Sequence, residues 1–129
     1  MPFEIKKTDD PRVLDANYSG VVTVEDVQGV TDTCIAHIEE TGVETLHVIM
    51  DMSAVEDPPK NLMQVIPAAR EITGHPNMGW WIVWGLDDRF LQFMVQMVAR
   101  VSRIRFRDVE DREAALAFLD KVLAASTTE

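Results

Sequence analysis

Cysteine is nearly missing from this chain of 129 residues, tyrosine occurs once, and no long apolar run is present. Each shortage excludes something. With Cys34 alone no internal disulfide can form, and a reducing compartment fits best. The longest apolar stretch runs only from Gly79 to Leu86, far short of the roughly 20 residues that span a bilayer. The opening "MPFEIKKTDD" carries charges where a secretion leader needs its apolar segment, so a cytoplasmic location is expected. Basic residues are also scarce, 12 against 22 acidic ones, for a net charge of −10. Phosphate backbones are repelled by that balance, which argues against nucleic acid as a partner.

What remains is the composition of an ordinary globular protein, with 47% hydrophobic and 26% charged residues. The length suits one domain over residues 1–129 with a real core, and no repeat or low-complexity tract divides it. Strands are predicted over Phe3–Lys7 and Val13–Ser19, joined through the turn formers "TDDP" as a hairpin. Gly20 is expected to close the second strand. Thr23 and Asp26 have the spacing of a capping box, opening a helix to about Thr41 with Gly42 as its left-handed cap. Val27, Val30, Thr31, Cys34, Ile35 and Ile38 form its inner stripe.

The apolar run "TLHVIMDMS" predicts a strand buried on both faces. In "EDPPKNLMQVIPAAREI", Asp57 is the expected N-cap and Pro58 the first helical residue, with a kink or break at Pro67. "WWIVWG" is the next strand, "RFLQFMVQMVARVS" a third helix and "RIRFRDV" an alternating strand near an edge. "DREAALAFLDKVLA" makes a last helix, with Ala115, Leu116, Leu119, Val122 and Leu123 inward and a frayed tail over 125–129. The order is β-β-α-β-α-β-α-β-α, an α/β fold with a mostly parallel sheet and an N-terminal antiparallel hairpin.

All three tryptophans fall in "MGWWIVWGLDD". Strand alternation puts Trp80, Ile82 and Trp84 on one side and Trp81 and Val83 on the other, so helices on both faces would bury them as core. Trp84 lies nearest the carboxyl end, where open α/β sheets bind ligands, and is a candidate pocket residue.

Chemistry-bearing residues are few. Asp51 and Ser53 end one strand, and Asp87 and Asp88 follow the next, so carboxylates could converge as a Mg²⁺-dependent phosphoacceptor. No lysine is suitably placed to steady a phosphoryl group, and capping explains such aspartates equally well. His37, His47 and His75 have no metal-ligand spacing, and no nucleophile elbow or phosphate loop appears. No catalytic residue, metal or cofactor is therefore assigned.

The third helix is the strongest signal. Gln92, Gln96 and Arg100 form a narrow polar line, while Phe90, Leu91, Phe93, Met94, Val95, Met97, Val98 and Val101 cover the rest. A sheet covers roughly a third to half of a helix circumference, so a second apolar face must meet something. With Leu62, Met63, Val65 and Ile66 it forms a self-association surface or a lipophilic groove, or is buried between neighbouring helices. Arg103, Arg105 and Arg107 are expected to pair with Asp108, Glu110 and Asp111 and guard an edge strand; an anion site or acidic-partner patch is the alternative.

The stretches "YSGVVTVEDV", "HVIMDMSAVED" and "RIRFRDVEDREAALAFL" resemble the STAS domain, the anti-anti-sigma-factor fold, and more closely its SpoIIAA-like branch. The resemblance spans nearly the whole chain. It implies a sheet with helices packed against it and a site near the loop after "DMS". Phosphorylatable members carry Asp-Ser-Ser/Thr-Gly at the start of the following helix; here that region reads "EDPPKNLMQ", without a serine. SpoIIAA-like domains also resemble CRAL-TRIO lipid-binding domains in fold, which implies room for a hydrophobic ligand. The leading expectation is a non-enzymatic interaction module, working as a homodimer. A carrier of a small lipophilic ligand using Met63, Trp84, Phe90, Phe93, Met94 and Met97 is the alternative.

Overall fold

Five strands with apolar inner faces line up in the order in which the chain makes them. In a computed structural model describing residues 2–127, β1 (Phe3–Lys7) pairs antiparallel with β2 (Val13–Val21). β3 (Leu46–Asp57), β4 (Met78–Trp84) and β5 (Arg105–Asp108) then add in parallel, giving the order β1-β2-β3-β4-β5. Right-handed crossovers repeated in one direction put every connecting helix on the same face. Accordingly α1 (Val24–Thr41), α2 (Leu62–Thr73) and α3 (Arg89–Ser102) share the larger core with Leu14, Tyr18, Val48, Met50, Trp81 and Val83. The last helix, α4 (Arg112–Thr127), closes the other face over Val13, Ile49, Ile82 and Trp84. The predicted α/β fold and element order are those observed.

Helix ends follow local chemistry. Thr23 and Asp26 make the reciprocal capping box, and Gly42 takes a left-handed conformation, φ 70°, that lets its N–H reach the Ile38 carbonyl. α2 departs from expectation. It starts at Leu62 after Asn61, not at Pro58, because β3 continues to Asp57. The strand keeps its partner through two register shifts, ending with Val21 opposite Asp57 and the Val22 N–H on the Asp57 carbonyl at 2.9 Å. β2 likewise runs past Gly20 to Val21. Pro67 does not break α2. It is exposed, so water can satisfy the carbonyl one turn back that loses its donor.

At the other end, helix continues to Thr127 where a frayed tail was expected; Thr128 and Glu129 lie outside the described residues. Of the α4 residues expected inward, Ala115 and Leu119 are buried and Val122 and Leu123 half-buried, whereas Leu116 is exposed; Phe118, which was not expected inward, is partly covered.

Candidate functional site

Parallel strands bring the carboxyl ends of β2, β3 and β4 to one edge, and the starts of α1, α2 and α3 with them. Ligand sites in open α/β sheets form at this edge. Here the sheet divides the sequence candidates into two sets.

On the three-helix face lies an apolar cavity of about 70 Å³. Met52, Val55, Pro58 and Pro59 wall it from β3 and the following loop, and Val65, Leu91, Met94, Val95 and Val98 from α2 and α3. Tyr18 and Trp81 complete it from the sheet. Of the predicted ligand residues only Met94 lines this space. Phe90, Phe93 and Val101 point outward from α3, with 39%, 54% and 52% of their surfaces exposed, and Met97 is half-buried between them in sequence. These residues recur at three- and four-residue spacing, so they form one stripe beside the buried row Leu91, Met94, Val95 and Val98. On α2, which starts at the same edge, Met63 is 80% exposed and Leu62 and Ile66 are half-buried.

Trp84 is not with them. Alternation along β4 sends it to the α4 face, where it is buried and Arg112 lies over its ring, 5.8 Å from the centroid. Arg112 Nη2 also donates to Asp15 Oδ2 at 2.6 Å. Asp51, half-buried at the same edge, accepts from the Ser53 N–H at 2.8 Å and from the Ser53 hydroxyl at 2.6 Å. Asp88 caps α3 by accepting from the Phe90 N–H at 3.0 Å, while Asp87 is exposed. Gly85, at φ 82°, lets the chain after β4 pass the Ser53 backbone, into which any Cβ would run. Among the described residues no three His, Cys, Asp or Glu side chains are grouped to hold a metal ion.

The histidines and the cysteine serve the interior. His37 Nε2 and the Pro11 carbonyl are 2.8 Å apart, and His47 Nδ1 accepts from the Trp80 N–H at 2.9 Å. His75 Nδ1 accepts locally from the Asn77 N–H. Cys34 is buried, and burial pushes its thiol up to about 12, so it stays protonated at neutral pH.

The arginines overturn the expected pairing. Among the described residues, ion pairs join Lys6, Lys7, Arg12, Lys60 and Arg112 to carboxylates, and none involves Arg103, Arg105 or Arg107. The strand β5 points Arg105 and Arg107 to the α4 face, where Arg107 lies over the Phe118 ring at 5.1 Å.

A solved structure from Shewanella loihica PV-4 shares this arrangement: an uncharacterized protein of the DUF3478 family, described as having a SpoIIAA-like fold. The two match with a TM-score of 0.62 over 91% of each chain, at 16% identity. The fold is SpoIIAA-like. No protein-family model and no curated protein matches the sequence. In this SpoIIAA-like frame, the segment between β3 and α2 is "PPKN" and offers no hydroxyl. Ser53, four residues before the end of β3, spends its hydroxyl on Asp51. Sequence reasoning passed over Tyr18 and Trp81 as cavity residues; their inward register in alternating strands was the available signal.

Proposed function

We propose that this protein is a non-enzymatic interaction module that associates with a second copy of itself through the outer stripe of α3. The observation that carries the reading is the outward row Phe90, Phe93, Met97 and Val101, next to an α3 face already buried on its own sheet. Large apolar side chains in a continuous row lose hydration cost when covered, at about 25 cal/mol per Å². A two-fold arrangement lets one such row meet its copy, the commonest symmetry of soluble oligomers. Catalysis finds no support in the polar residues, since Asp51 and Asp88 are engaged in local caps and Asp15 in an ion pair.

Light scattering coupled to size exclusion tests this at high micromolar concentration. The expected mass is that of two chains, and Phe93→Asp with Val101→Asp is expected to halve it. A single-chain mass for the unaltered protein at that concentration rules the reading out.

A further inference from the structure

On its second face the sheet is covered by α4, and the starts of β3, β4 and β5 border an open groove there of about 420 Å³. Its walls come from residues that alternation directs to this face. Thr45 and His47 stand at the start of β3, Trp80 on β4 and Arg105 on β5, with Phe118 and Lys121 from α4. The groove lies at the amino ends of the strands, away from Asp51 and Asp88, and no residue of the α3 stripe lines it.

Trp80 and Phe118 meet edge to face with centroids 4.9 Å apart, and both are half-buried, so the apolar wall is aromatic and partly open. Arg105 and Lys121 are exposed, and among the described residues neither takes part in an ion pair or a side-chain hydrogen bond. No Asp or Glu lines the groove, which makes it a local positive site on a chain of net charge −10. His47 adds a donor. It is 2% exposed and its Nδ1 accepts from the Trp80 N–H, so the neutral ring carries its proton on Nε2. Burial first, then the Arg105 charge, keeps the ring neutral at pH 7. Nε2 has no partner among the described residues and is not wholly enclosed, and the groove is the space this side chain lines. Apolar walls with a few convergent polar groups are the usual make-up of a small-molecule site.

We propose that this groove binds a small organic monoanion, a ring bearing one carboxylate, with the ring against Trp80 and Phe118 and the carboxylate held by Arg105 and Lys121. The guanidinium fork matches a carboxylate, and the aromatic wall supplies area that a bare inorganic anion could not use. The overall charge of −10 opposes ligands of higher negative charge, which leaves a single carboxylate as the best match. The space falls within the roughly 300–1,000 Å³ of small-molecule sites. The site does not depend on association through α3.

The test titrates benzoate, benzamide and acetate into the full chain and follows the Trp80 indole N–H and the Lys121 amide in ¹H–¹⁵N spectra. Benzoate is expected to move both signals and to bind about tenfold tighter than benzamide, which lacks the charge, and than acetate, which lacks the ring. Arg105→Gln and Lys121→Gln, both at exposed positions, are each expected to weaken benzoate about fivefold and leave benzamide unchanged. Arg70→Gln removes the same charge from α2 and is expected to leave benzoate binding as it was. Benzoate no tighter than benzamide or acetate, no movement at Trp80, or full benzoate affinity in both groove variants overturns the proposal. A tetraglutamate peptide that binds where benzoate does not assigns the cations to an acidic protein surface and overturns it as well. Should a variant not fold, NOEs from benzoate to the Trp80 and Phe118 rings in the unaltered protein decide it, and their absence counts against the site.

Discussion

At the scale of the residue, His47 shows how one side chain repairs a sheet. β3 and β4 slip register between Leu46 opposite Met78 and Val48 opposite Trp81, which leaves β4 one residue longer there. The Trp80 N–H beside the slip is taken by His47 Nδ1 at 2.9 Å. Burial first, then the positive charges of Arg105 and Arg12, hold the imidazole down at about 4, against an ordinary 6.5. Its folded value lies below its unfolded one, so the unfolded chain takes up the proton first. The contribution is present above pH 6.5 and is lost as pH falls from there toward 4. Urea unfolding is expected to lose on the order of 2 kcal/mol across that window, allowing for solvent screening. His47→Gln should start lower at pH 7.5 and show a shallower fall. Gly79 belongs to the same device, since a Cβ there would enter the His47 ring and the Thr45 methyl. Gly79→Ala is expected to cost about 1–3 kcal/mol by thermal unfolding.

Among elements, α3 carries two apolar faces with different work, and substitutions should separate them. Leu91 is buried in the larger core, so Leu91→Ala should cost about 2–4 kcal/mol in chemical denaturation. Phe93 is more than half exposed, so Phe93→Ser should change monomer stability by less than about 0.5 kcal/mol. The doubled face of α3 was legible because its polar line, Gln92, Gln96 and Arg100, is too narrow for a surface helix. The start of α1 was legible too, its cap being written in Thr23 and Asp26. The start of α2 was not. Asp57-Pro58 imitates a helix start, and only the long-range pairing of Val21 with Asp57 cancels it. Trp84 illustrates the same limit. Alternation predicted its partners on β4, but which face meets α3 and which α4 follows from the crossover direction, a property of the whole sheet.

Over the whole molecule, charge supplies the sharpest discrimination. Each chain carries −10, so two copies repel one another before any surfaces meet. The cations are unevenly spent: Arg103, Arg105 and Arg107, on or next to the edge strand β5, have no ion pair among the described residues. Two modes of association are thus available to a protein of this charge. Burial of the α3 stripe is apolar and opposed by the net charge, whereas docking of an acidic surface on the β5 arginines is favoured by local charge. Salt acts on the two in opposite senses. The screening length shortens from roughly 20 Å near 0.02 M to about 6 Å near 0.3 M. Association through α3 should therefore tighten across that range in analytical ultracentrifugation, and association through β5 should loosen. Tightening that disappears in Phe93→Asp assigns the contact to α3. Loosening that disappears in Arg105→Gln with Arg107→Gln moves it to the sheet edge, and the apolar stripe then needs a different occupant.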